Sequence, residues 1–213
     1  MKLYYAPGTC SLAPHIVARE AGLPLELVKV DIHKTPHRIL SGPQAGTDYA
    51  SVNPKGYVPA LELDDGTLLT EVAAIVQYLA DQAPASKLMP AAGTMQRYRA
   101  QEWLSFISSE LHKAFSPWLF HPEVGEAAQA YARGMIARRF AAFDTHLASQ
   151  PFLLGEQFSA ADAYLFAIAS WAQFTRIDLA PYPHLAGFLE RVGSRATVKV
   201  AQQAERQPMA AAA

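Results

Sequence analysis

The spacing of apolar residues changes once along this chain, close to residue 90. Before that point short apolar runs alternate with helix-spaced ones. Lys2-Leu3-Tyr4-Tyr5 predicts a strand, stopped by Pro7-Gly8. Leu12, Ile16 and Val17 then share one face of a helix from about Ser11 to Ala21, ended by Gly22. Pro14 falls in its first turn, where a missing N–H is harmless. Leu25–Val30 predicts a second strand and Asp31–Gly46 a long connection bearing Pro and His. Tyr57–Leu63 and Thr67-Leu68-Leu69 flank Asp64-Asp65-Gly66, a hairpin signature, and Ile75, Val76 and Leu79 place a helix over about Glu71–Asp81.

From Gly93 onward nothing resembles a strand. Trp103, Ile107 and Leu111, then Ala132, Ile136, Phe140, Phe143 and Leu147, recur at helical spacing. Phe158-Ser159-Ala160-Ala161-Asp162 reads as an Asp version of the capping box, with Ser159 as the cap and Asp162 reaching back to its N–H. Leu165, Phe166, Ile168 and Ala169 make that helix apolar nearly all round, which predicts the buried centre of this half. The expected division is an α/β domain over 1–83, a Pro-bearing linker over 84–92 and an all-α domain over 93–213. The tail Pro208–Ala213 is expected to fray, and no internal repeat is seen.

Composition narrows the function. The chain has 213 residues, 51% of them hydrophobic, and a net charge of −1, which excludes a disordered chain. No Lys/Arg block supplies the electrostatic footprint of a nucleic-acid binder, so the expected partner is a small molecule. A single cysteine allows no internal disulfide and no multi-cysteine metal site, and the histidines lack metal-ligand spacing. No metal is therefore expected. No stretch approaches the roughly 18 apolar residues of a membrane span, and Pro7-Gly8 interrupts anything resembling a secretory signal. These readings predict a soluble cytoplasmic protein.

Four places could carry chemistry. Cys10 follows a strand and a Pro-Gly turn at the start of a helix, where unpaired N–H groups and the helix dipole favour a thiolate. The competing reading is a small buried hydrophobe. Val58-Pro59 interrupts an apparent strand. It is either a special turn with a cis bond, leaving the Val58 backbone to pair with an extended peptide, or a plain edge-strand proline. Glu71, in Thr70-Glu71-Val72 at a helix N-terminus, could hold an ammonium group beside N–H groups that hold a carboxylate; an acidic residue placed only for the helix dipole is the commoner case. Finally, Glu102, Ser105, Ser108, Ser109 and His112 share one helix face, which lines a cleft or is a solvated surface.

Taken together these residues are more specific than any one of them. Met-Lys-Leu-Tyr-Tyr-Ala-Pro-Gly-Thr-Cys-Ser-Leu-Ala-Pro-His-Ile, Asn-Pro-Lys-Gly-Tyr-Val-Pro-Ala-Leu, Thr-Glu-Val-Ala-Ala-Ile-Val-Gln-Tyr-Leu-Ala-Asp, Glu-Trp-Leu-Ser-Phe-Ile-Ser-Ser-Glu-Leu-His-Lys and Phe-Ser-Ala-Ala-Asp-Ala-Tyr-Leu-Phe occur in order. They closely resemble bacterial beta-class glutathione S-transferases. The resemblance implies an α/β thioredoxin-like N-terminal domain, an all-α C-terminal domain carrying the electrophile pocket, glutathione as co-substrate, and a homodimer. It implies that Cys10 contacts the glutathione sulfur and can form a mixed disulfide with it, and that Val58 before a cis-Pro59 clamps the cysteinyl group. Glu71 and Val72 match the γ-glutamyl site, His112 the histidine near the sulfur, and Glu110 and Lys113 positions that line or support the site. Lys34 matches a glutathione-contacting lysine. Two residues depart from the family pattern: Val72 stands where Ser or Gly is usual, and Ser105 where Asn often reaches across the dimer. The expected activity is addition of the glutathione thiolate to small apolar electrophiles. The alternatives are a glutathione-dependent thiol-disulfide or peroxide reductase using Cys10, and a non-enzymatic ligand carrier.

Overall fold

The computed structural model describes residues 1–206, so the fraying expected over Pro208–Ala213 lies outside the described residues. Two compact units emerge. The first contains Met1–Ser86 and the last described helix; the second is Lys87–Arg195.

In the first unit, β1 (Lys2–Tyr5), β2 (Glu26–Asp31), β3 (Arg38–Ile39), β4 (Ala60–Glu62) and β5 (Leu68–Thr70) form one mixed sheet ordered β3-β2-β1-β4-β5. β1 pairs parallel to β2 (Tyr4 opposite Val28) and antiparallel to β4 (Leu3 opposite Leu61). Parallel pairing requires a crossover, which α1 (Leu12–Glu20) supplies. Tyr4, Val28, Val30, Ile39, Tyr49 and Ala60 form a buried cluster, and α1 packs with α2 (Val72–Gln82) through a separate apolar layer that includes Ile16, Val17, Ile75, Val76 and Leu79. Covered sheet faces suit the near-continuous apolar runs of the central strands.

Three features differ from the sequence expectation. The connection over Asp31–Gly46 holds β3, which pairs antiparallel to β2 (Val30 opposite Ile39). The strand expected over Tyr57–Leu63 begins only at Ala60, because the Val58–Pro59 peptide bond is cis and Pro59 offers no N–H to a ladder. The expected linker over 84–92 is not a free tether. Leu88 and Met89 are buried, and the Leu88 carbonyl accepts the Ala160 N–H at 2.9 Å.

The second unit is helical: α3 (Met95–Phe106), α4 (Lys113–Phe115), α5 (Glu126–Leu147), α6 (Ala160–Ala169), α7 (Trp171–Thr175) and α8 (Pro183–Gly193). Every residue of α6 is buried, as its composition predicts. Asp162 reaches back as expected: its Oδ2 accepts the Ser159 N–H at 2.8 Å, and its Oδ1 also takes the Leu153 N–H at 2.8 Å. The helical half expected to run to residue 213 divides differently, since α9 (Ala196–Arg206) packs on α1 and belongs to the first unit. None of the helices described is long and apolar enough to cross a membrane.

Candidate active site

Cys10 lies in the turn from β1 into α1, and its backbone is fastened locally. The hydroxyls of Thr9 and Ser11 lie within 2.8 and 3.0 Å of the Ala6 carbonyl. Gly8, at φ +73°, gives the turn its left-handed step; a Cβ there would meet nothing within 4 Å, so the requirement is conformational rather than steric. Cys10 is only 7% exposed, yet it is not merely packed. Its thiol donates to the Val58 carbonyl at 3.4 Å, joining two sequence candidates 48 residues apart.

The segment before Val58 is held from behind. Asn53 Nδ2 and the Tyr49 hydroxyl both donate to the Tyr57 carbonyl, at 2.7 and 3.1 Å. Burial pushes the Tyr49 phenol up to about 12, so it remains a donor at neutral pH. In the sequence Asn53 stands only within the Asn-Pro-Lys-Gly-Tyr-Val-Pro segment, with nothing to mark this holding role, and Tyr49 carries no signal at all. With Val58 fixed between Tyr57 and the cis bond to Pro59, no hydrogen bond to its N–H is found among the described residues. That is the backbone donor the special-turn reading requires.

Glu71 precedes α2 at φ 73°, ψ 122°, a sparsely populated conformation for a residue with a side chain. Its side chain makes no capping bond, although its carbonyl accepts from Ala74 and Ile75 at 3.1 and 2.9 Å. Strain of this kind costs of order 1–3 kcal/mol and concentrates at ligand clamps. A carboxylate serving only the helix dipole would contribute ~0.3–1 kcal/mol without needing such a backbone. Glu71→Gly should therefore leave thermal stability unchanged or raised while weakening ligand binding; a Tm drop of several degrees would show that the wild-type backbone is unstrained. Val72 is buried. Lys34 sits on an exposed turn beside the cis Thr35–Pro36 bond, and no side-chain hydrogen bond to it is found among the described residues. The structure thus joins Cys10, Val58 and Pro59 directly but not Lys34.

The helical unit carries its own cluster. Between α3 and α4, Ile107–His112 forms a π-helical turn, a rare feature that recurs at functional sites. His112 is the last residue of that turn. Its Nδ1 lies 2.8 Å from the Tyr164 hydroxyl, and its ring meets Trp171 edge-on at 5.1 Å. The solvated-face reading fails for His112. Ser105 is exposed. Burial, with a smaller push from Lys113, holds the His112 imidazole down to about 4, so at neutral pH the ring is uncharged. Glu110 is ion-paired with Arg139, and Lys113 is exposed. Tyr164, Trp171 and Arg139 escaped sequence reasoning because their partners are distant in the chain. No group of three potential metal ligands occurs among the described residues.

Comparison with known proteins fits both units. The family model described as the glutathione S-transferase N-terminal domain matches residues 8–82, and that for the C-terminal domain matches 106–196. The chain is 43% identical over 205 residues to glutathione S-transferase GstA of Escherichia coli O157:H7, covering 96% of this chain and 98% of that one. Among solved structures it is similar to BphK, a bacterial transferase in a ternary complex, at 50% identity and TM-score 0.92, covering 97% of this chain and all (100%) of that one. It is likewise similar to a sphingomonad glutathione S-transferase complexed with glutathione, at 45% identity and TM-score 0.91, covering 98% and 100% of the two chains. The fold and the matched domains define a transferase. The chain belongs to the glutathione S-transferase family, and its structural neighbours include the bacterial beta class.

Proposed function

We propose that this protein binds glutathione and adds the glutathione thiolate to small apolar electrophiles. One observation carries the assignment of the site: the Cys10 thiol beside the Val58 carbonyl, 3.4 Å away, next to a Val58 N–H left for a peptide. An extended peptide backbone pairs there as an added strand would. The strained Glu71 before α2 supports a place for the charged γ-glutamyl end, whose ammonium group the carboxylate takes and whose carboxylate the first N–H groups of α2 take. With an aryl halide as electrophile, the glutathione S–H gives its proton to water, the sulfur bonds to the ring carbon, and the carbon–halogen bond breaks as halide leaves with the electron pair.

Lys34, Pro59, Val72, Ser105, Glu110, His112 and Lys113 complete the proposed set of glutathione residues, with Cys10 and His112 catalytic and no metal involved. An uncharged His112 acts as a hydrogen-bonding group rather than a cation. The helical unit is read as carrying the electrophile pocket, and the protein as a cytoplasmic, detoxifying homodimer. Nothing favours the reductase or carrier alternatives over conjugation.

Glutathione titration by calorimetry tests the site. Glu71→Ala should weaken binding by about 1.5–3 kcal/mol, the range for a hydrogen bond to a charged group. Unchanged affinity would remove Glu71 from the site. For His112→Ala, kcat for an aryl halide electrophile should fall more than glutathione affinity does. If both are unaffected, the Tyr164–His112–Trp171 cluster serves packing only.

A further inference from the structure

The three carbonyls that precede Pro59 are each taken by a side chain from outside residues 56–58. The Tyr57 carbonyl accepts from Asn53 and Tyr49, and the Val58 carbonyl from Cys10. The carbonyl of Gly56 lies 3.0 Å from Nδ1 of His37, 19 residues earlier in the chain. A carbonyl only accepts, so Nδ1 carries a hydrogen and donates it, whether the ring is neutral or protonated.

His37 is itself fastened opposite Tyr49. Its carbonyl accepts the Tyr49 N–H at 2.9 Å, and the next residues along, Arg38 and Asp48, pair antiparallel. Two facing residues of the connection between β2 and β4 thus send side-chain donors to adjacent carbonyls, His37 to Gly56 and Tyr49 to Tyr57. Packing cannot do this work, because Lys55 and Tyr57 are exposed and Gly56, at φ +75°, has no side chain. Val58 is the first residue of the segment after Asn53 whose side chain meets the buried cluster around Tyr4 and Tyr49. The Val58 N–H shares a peptide plane with the Tyr57 carbonyl, and the plane before it carries the Gly56 carbonyl. A glycine step left unheld has the widest backbone freedom of any residue. We infer that His37 is a positioning residue: by fixing the Gly56 carbonyl it holds that step and so aims the Val58 N–H at an extended peptide. This rests on the reading that Val58 clamps glutathione. It goes further in giving the connection between β2 and β4 a part in the clamp.

The test is a pair of variants. His37→Phe keeps a ring without the donor, while His37→Asn loses the ring but puts an amide nitrogen where Nδ1 stood. KM for glutathione should rise at least about 5-fold in His37→Phe with kcat changed less than about 2-fold, the pattern of lost binding rather than lost chemistry. In His37→Asn it should stay within about 2-fold of the wild type. A KM unchanged in His37→Phe, or raised alike in both variants, would overturn the proposal, because the donor would then not matter. A measurement on the unaltered protein covers the case in which the variants do not fold. Nitrogen NMR of the neutral His37 ring should find the hydrogen on Nδ1, and a hydrogen on Nε2 alone would overturn the proposal. Glutathione added to the wild type should also shift the Val58 amide resonance. If it does not, the clamp reading fails and takes this inference with it. If it does while His37→Phe keeps the wild-type KM, only the role of His37 falls.

Discussion

Asp162→Ala should cost the protein about 3–5 kcal/mol, enough to lower Tm by roughly 6–20 °C in a chain of this size. The carboxylate closes the start of α6 by accepting the Ser159 N–H and hydroxyl and the Leu153 N–H. Ser159 and Leu153 are 3% and 2% exposed, so no water replaces the lost acceptor. Each orphaned donor costs about 1–3 kcal/mol. Asp162→Asn keeps one acceptor oxygen but turns an NH2 group toward donors, and should fall between wild type and Ala. Chemical denaturation measures all three, and a loss below ~1 kcal/mol for Asp162→Ala would mean that α6 does not depend on this cap.

The pH dependence of that loss has a sign opposite to the usual carboxylate case. Burial pushes the Asp162 carboxyl up to about 6 from an ordinary 3.8, although its donors pull the other way. With the folded value above the unfolded one, the folded state binds more protons between the two. Stability from this group is therefore fully present below 3.8 and is lost as pH rises through about 6, by ~3 kcal/mol in all. The gap between wild type and Asp162→Ala should widen on acidification from pH 7 to 4. His112 runs the other way: held down to about 4 from 6.5, it contributes stability above 6.5 that is lost as pH falls. The gap for His112→Ala should narrow over the same range, and the wild-type curve should be flatter than either difference.

What the sequence made legible was local. β1, β2 and the β4–β5 hairpin, α1, α2 and α6 each follow from a period, a stop residue or a cap confined to a dozen residues. β3 was missed because two residues, Arg38 and Ile39, carry no period, and they form a strand only through the neighbour they pair with. The π-helical turn over Ile107–His112 escaped because a change of backbone hydrogen bonding leaves no mark on side-chain type. At the site, Cys10, Val58 and Glu71 stood out through the turn and helix signals around them. Tyr164 acts on His112, 52 residues away, and no window along the chain contains both, whereas Asn53 and Tyr49 hold the Tyr57 carbonyl 4 and 8 residues on, through side-chain-to-backbone bonds that no period or cap announces.

Cys10→Ala should abolish formation of a protein–glutathione mixed disulfide while cutting conjugation only in part. In the redox step the Cys10 thiolate attacks one sulfur of oxidised glutathione. The new Cys10–glutathione disulfide forms as the old one breaks, and the second glutathione leaves as a thiolate that takes a proton. The chain holds no second cysteine, so nothing substitutes for Cys10 in that step. Conjugation has reserves, because the reacting sulfur there belongs to glutathione. In the proposed site the Val58 backbone, to whose N–H no hydrogen bond is found among the described residues, remains in place without the Cys10 side chain. Wild-type protein treated with oxidised glutathione should gain the mass of one glutathionyl group and the variant none. The variant should keep a measurable fraction of aryl halide conjugation, down by about 10-fold to 100-fold, which is ~1.4–2.8 kcal/mol of transition-state stabilisation. Equal and complete loss of both activities, with glutathione binding intact, would make Cys10 obligatory for conjugation as well. A glutathionyl adduct on the variant would place the reactive nucleophile elsewhere and remove Cys10 from the redox step.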